Sequence, residues 1–153
     1  MFSFLAEILA ITFLGFGAIY TLLLWLSPYK LIEGGFYRFN QGMVSIVVSI
    51  GIIFIYLSLS HYNNFYLGVF WLFIQLFVTA AYWKTTNINN FFISIPPVIG
   101  IAYLMLIMNQ IFIVDLEFSD YIIIFNSYSI IALVFFSMIL GHWYLNVIQL
   151  PIN

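Results

Sequence analysis

Residues 121–145 read YIIIFNSYSIIALVFFSMILGHWYL, 25 positions without an Asp, Glu, Lys or Arg. A bilayer core about 30 Å thick takes roughly 20 apolar residues at about 1.5 Å rise each. This stretch is therefore long enough to cross, and it is apolar on all sides. A strand of an outer-membrane barrel would alternate polar and apolar residues over about ten positions. Residues 121–145 do not alternate, so the reading is a transmembrane helix.

Four more stretches follow the same pattern: residues 4–26, 42–59, 65–83 and 91–114. The first ends at Ser27-Pro28. The fourth has two alternative starts. Pro96-Pro97 suits the first turn of a helix, because proline lacks an N–H and clashes with the preceding turn. Ser94 would then cap a helix beginning near Pro96. The competing reading is a kinked helix that starts near Asn90.

The composition agrees with a lipid solvent. The 153 residues are 65% hydrophobic and 5% charged, against about 25% charged in ordinary globular chains. The charged residues are Glu7, Lys30, Glu33, Arg38, Lys84, Asp115, Glu117 and Asp120. So few charges cannot cover a water-facing surface. Disorder, a disulfide scaffold and Cys-ligated metal sites are excluded by composition and the lack of cysteine, and no basic patch supports nucleic-acid binding. The expectation is a single all-α polytopic membrane domain over residues 1–153, a bundle of five transmembrane helices.

Threading five spans puts Lys30, Arg38, Lys84 and the C-terminus on one side. Glu7, the Asp115–Asp120 connection and the N-terminus fall on the other. The positive-inside rule makes the basic side cytoplasmic or its organellar equivalent. The localisation expected is a bacterial or organellar inner membrane, N-terminus outside and C-terminus inside. The first span lacks a basic n-region and an A-x-A site, so it reads as retained. Trp25, Tyr29, Tyr37, Tyr82, Trp83, Trp143 and Tyr144 form an inner aromatic belt; Tyr62, Phe65, Tyr66 and Tyr121 form an outer one.

Lipid tails are as apolar as leucine, so close approach at small residues drives helix association instead. Ala6, Ala10, Gly15 and Gly17 supply such positions in the first span. Ser45, Ser49 and Gly51 do so in the second, and Ser137 and Gly141 in the fifth. Gln75 is the polar side chain near the middle of the third span. An unpaired amide in hydrocarbon costs roughly 2–7 kcal/mol, so Gln75 must face another helix.

Three groups of residues invite a sharper reading. His142, in Gly141-His142-Trp143-Tyr144, has the neighbours a haem, chlorophyll-type ring or quinone would need, since Gly141 admits a flat macrocycle. The plainer alternative is an interfacial histidine bonded to a neighbouring loop. His61 is the other histidine that could bind a cofactor, but it lies at the opposite interface and cannot serve as a second axial ligand. Glu7, His61, Asn109 and Asn126 share the outer half, as a relay fragment or as structural contacts; ionisable groups within spans default to functional hypotheses.

The third group is the connection from Lys30 to Asn40. Gly34-Gly35 permits a tight turn that would let Glu33 and Arg38 pair. This segment is either a re-entry turn or a contact for a partner subunit or an anionic lipid head group, made by Lys30, Glu33, Arg38 and Lys84 with Trp143 and Tyr144. The Gly141–Tyr144 end is expected beside it.

No nucleophilic triad, phosphate loop or catalytic carboxylate pair is present, so no catalytic residue is assigned and no cofactor is required. The function expected is a small non-catalytic membrane subunit, a structural or accessory part of a larger complex, with energy-converting complexes among the candidates. Its partners would be other membrane subunits, further copies of itself and lipids. The alternatives are a haem-, pigment- or quinone-binding protein using His142 or His61, and, third, a small transporter or channel. A transport path would need repeated polar or broken-helix positions that these spans lack.

Overall fold

The computed structural model describes residues 2–27, 34–58, 65–83, 90–111 and 117–148. It is all-helical, with α1 Phe2–Leu26, α2 Gly34–Ser58, α3 Phe65–Ala81, α4 Asn90–Ile111 and α5 Phe118–Ile148. Four of these are long and apolar enough to cross a membrane; α3, at 17 residues, is apolar but shorter.

Helices α1 to α4 close into a ring, in which α1 packs on α2 and α4 while α3 packs on α2 and α4. Successive helices run antiparallel. Leu14 lies at Gly51 and Gly17 at Val48, while Tyr20 reaches Asn40 and Ser27 reaches Tyr37. Positions that rise along α1 thus fall along α2. Helix α5 stands outside the ring and packs mainly along α1. Within its most apolar 18-residue stretch 6% is buried, against 56% for α1. The molecule is a four-helix bundle with a fifth helix on one flank.

Small residues set the closest approaches. A Cβ on Gly17 would lie 2.7 Å from Val48 Cγ2, and one on Gly51 would lie 2.7 Å from Leu14 Cγ. Ala6, Ala10 and Ala18 are buried on the same helix. At Gly68 the space of a Cβ is taken by the Tyr103 hydroxyl, and at Gly100 by the Trp71 indole. Helices α3 and α4 are thereby seated on two aromatic rings whose centroids are 6.0 Å apart. Close backbone approach of this kind supplies dispersion contacts that apolarity alone does not give in lipid.

Helices α2 and α5 extend beyond the spans read from the sequence, and α4 takes one of its two alternative starts. Helix α2 begins at Gly34 rather than near residue 42, so the polar Arg38–Gln41 segment is helical. The two glycines open that helix instead of turning the chain, and Gly35 lets the Trp143 ring approach to 3.0 Å of where a Cβ would be. Helix α4 starts at Asn90 with Pro96 and Pro97 inside it. That agrees with the longer alternative, and Ser94 Oγ bonds the Phe91 carbonyl at 2.7 Å within the helix rather than capping a start. The prolines remove two intrahelical donors, a loss tolerated where neighbouring helices surround the backbone; both prolines are buried. Helix α5 runs three residues earlier and three later than residues 121–145.

Candidate functional site

The interior polar groups gather toward the end of the bundle where α1 and α3 finish and α2 begins. Tyr20 Oη donates to Asn40 Oδ1 at 2.5 Å, joining α1 to α2. The Asn40 amide in turn donates to the Phe36 carbonyl at 2.7 Å, so this buried amide is held from both sides. Gln75 is fully buried and its Nε2 donates to Gln41 Oε1 at 2.6 Å, joining α3 to α2. One turn along each helix, Ser45 and Thr79 bring their hydroxyls to 3.1 Å. Ser45 also bonds the Gln41 carbonyl at 2.8 Å and Thr79 the Gln75 carbonyl at 2.7 Å. Each hydroxyl has one proton, so a bond between them forms only when one releases its backbone carbonyl.

Nearer the end, Ser27 and Tyr37 bring their hydroxyls to 2.6 Å. Arg38 ties α2 to the end of α3: its Nε donates to the Gly34 carbonyl at 3.2 Å and its Nη1 to the Trp83 carbonyl at 2.9 Å. Both bonds are charge-assisted, and the Trp83 carbonyl lies just past the end of α3, where a helix leaves its last carbonyls without partners. Tyr37, Arg38, Gln41, Thr79, Tyr82 and Ile93 line a narrow crevice there.

Apart from Arg38, the network consists of amides and hydroxyls, none of which ionises near neutral pH. Its chemistry is to fix the mutual register of α1, α2 and α3. Gln75 was expected to face another helix and does. Its partner was hidden because Gln41 falls in a segment read as a connection; the signal was the spacing of Gln41, Ser45 and Ser49 by four. Buried polar atoms that keep no partner among the described residues include Gln75 Oε1, Trp71 Nε1, Trp143 Nε1 and the Tyr103 hydroxyl.

The other residues singled out in the sequence are dispersed. Lys30, Glu33, His61 and Lys84 lie outside the described residues. Trp143 packs beside the start of α2, with its ring centroid 6.0 Å from that of Phe36, so the Gly141–Tyr144 end does adjoin Arg38's segment. Tyr144 is exposed, and so is His142 on α5, beside Gly141, which has open space around it. Asn109 accepts a hydrogen bond from the Tyr121 hydroxyl, linking α4 to α5. Glu7 is half-buried in the first turns of α1. Asn126 faces outward from α5. The described residues hold no group of three or more His, Cys, Asp or Glu side chains placed to bind a metal.

No family model, curated protein or solved structure matches this chain. A reading of its function therefore rests on its own geometry. An open groove of about 690 Å³ runs between the end of α1 and α5, walled by Leu23, Leu26, Leu133, Ser137, Gly141 and Tyr144.

Proposed function

We propose that the chain is a small integral membrane protein without catalytic activity of its own, acting as a structural or accessory subunit of a larger membrane assembly. The observation that carries this reading is the contrast between the ring and α5. The ring spends its polar side chains on itself, in pairs such as Gln41–Gln75 and Tyr20–Asn40. Helix α5 leaves most of its length uncovered, from Phe118 through Ile130 and Leu133 to Tyr144. Rings and branched side chains on such a face give contact area at low entropic cost. A bundle with a locked interior and an open flank is suited to bracing neighbours.

Arg38 at the rim supports a further part of the proposal, that this end meets cytoplasmic or equivalent anionic head groups, with the N-terminus on the opposite side. The native chain lacks cysteine, so labelling is direct. A cysteine at Ser119 should label from the outside and one at Thr86 from the inside; labelling from the same side would refute the threading. Association is tested by native electrophoresis in mild detergent at native expression level. Co-migration with other subunits is expected, and migration as a lone 17.8 kDa chain with its micelle would overturn the subunit reading.

A further inference from the structure

We infer that α5 is a self-association helix, pairing with α5 of a second copy of this chain through reciprocal hydrogen bonds between the two Asn126 side chains. The inference rests on the membrane location proposed above and deepens it by naming the partner.

Depth comes first. A Cβ on Gly15 would lie 2.6 Å from the Tyr128 ring, so Tyr128 sits at nearly the level of the midpoint of α1, which runs Phe2–Leu26. Asn126 precedes Tyr128 by two residues. At about 1.5 Å per residue, and allowing for the reach of the tyrosine, it lies within about 10 Å of the bilayer middle, inside the apolar half-thickness of about 15 Å. Yet the Asn126 side chain is exposed and makes no hydrogen bond with a described residue. The argument that forced Gln75 against another helix applies here as well, and none of the described helices packs on this side. A polar side chain held in hydrocarbon facing outward needs a partner from outside the chain.

The chemistry selects a second copy. A carboxamide is both donor and acceptor, so two of them related by a two-fold axis satisfy each other with a matched pair of bonds. The flank around Asn126 has the matching form. Ser119, Asn126 and Leu133 are seven residues apart, as are Ile130, Ser137 and Tyr144, and all are exposed. A seven-residue repeat gives a continuous seam between two helices crossing at about 20°. Ser137 and Gly141, four apart at the open groove, allow the backbones to approach closely along that seam. No Asp, Glu, Lys or Arg follows Asp120 in the sequence, and Asp120 lies about 120° around the helix from Asn126. Two copies therefore bring no like charges into the seam.

The test is disulfide trapping in native membranes with the full chain, which has no cysteine to interfere. Single cysteines are placed on the seam, at Ile130 and Ser137, and on the far flank, at Ile131 and Phe135. Carbonate extraction of each variant checks separately that the protein is membrane-integrated. The expected result is a doubled-mass product from the seam positions and little from the far flank. Adding Asn126→Leu should weaken dimerisation, measured by dilution into lipid, about tenfold, the scale of a matched pair of interhelical hydrogen bonds. Asn126→Gln should retain most of it. Asn126 is exposed and bonds no described residue, so its replacement should leave the fold unchanged. A seam adduct with a different protein would overturn self-pairing while leaving the subunit reading in place. Equal trapping on both flanks, no trapping at all, or trapping indifferent to Asn126→Leu would overturn it too.

Discussion

Replacing Gly100 with alanine should pry α3 from α4. The added methyl would occupy the space of the Trp71 indole: Cε2 lies 2.6 Å and Nε1 3.0 Å from its ideal position. Favourable carbon contacts lie at about 3.5–4.0 Å, so the ring or the helix must move by about 1 Å. Trp71 has nowhere to go. It is fully buried, its ring neighbours Tyr103, and its Cη2, next to the colliding edge, lies 3.9 Å from where a Cβ on Gly17 would stand. If about twenty atom pairs of about 0.1–0.2 kcal/mol open by about 0.5–1 Å, a quarter to a half of their energy is lost, or about 1 kcal/mol. Strain in the displaced side chains brings the total to about 2 kcal/mol, within the usual range for overpacking. Trp71→Phe alone should cost about 1–2 kcal/mol for the space it leaves, but it removes the indole edge that collides. The double variant should therefore be more stable than the sum of the singles by about 1–2 kcal/mol. Unfolding by SDS titration in mixed micelles, followed by far-UV circular dichroism, measures all four proteins. A Gly100→Ala variant within about 0.5 kcal/mol of the parent, or strictly additive costs, would refute the close approach of α3 and α4 at Trp71.

Gln41→Leu should destabilise by about 1–3 kcal/mol, because it strands the buried Gln75 amide, whereas Gln41→Leu with Gln75→Leu should be nearly neutral in the same titration. Tyr20→Phe removes the only donor from another helix to Asn40 Oδ1 among the described residues and should cost about 1 kcal/mol, with Asn40→Leu adding less in that background than alone. Arg38→Gln should cost less than about 1 kcal/mol in stability, since the group is partly exposed, but should speed amide hydrogen exchange at the end of α3, where Arg38 holds the Trp83 carbonyl.

The helices were legible in the sequence because each is an apolar run, four of them long enough to measure against bilayer thickness, a coarse criterion that few other folds satisfy. What escaped was the start of α2. Gly34, Gly35, Asn40 and Gln41 are the residues that usually mark a connection, and their helical role depends on Tyr20 and Gln75, which meet them only in three dimensions. The role of Gln75 followed from desolvation cost alone, while the identity of its partner did not. Proline chemistry left two starts open for α4, and burial of Pro96 and Pro97 among neighbouring helices is what makes the longer one viable. Which helix would stand outside could not be read, since a helix apolar on all sides announces no preferred face. Asn126 was grouped with Asn109 by depth along the sequence; their separation depends on rotation about α5, which turns Tyr121 toward Asn109 and Asn126 away from it.

The unequal lengths of α3 and α5 have a mechanical consequence for the surrounding lipid. Helix α3 runs 17 residues, about 26 Å, while the candidate span of α5 from Phe118 to Leu145 runs 28, about 42 Å. These two helices lie on opposite flanks, because α5 rides on α1 and α1 faces α3 across the ring. A bilayer of about 30 Å is too thick for one side of the protein and too thin for the other. Were both helices to cross a bilayer, tilting would accommodate α5, but the lipids around α3 would have to shorten to meet it. In the membrane setting proposed above, the protein would present its annulus with a gradient of hydrophobic thickness that compresses the leaflets on one side, and a neighbour with a short hydrophobic girdle would be drawn to that side by the lipid alone.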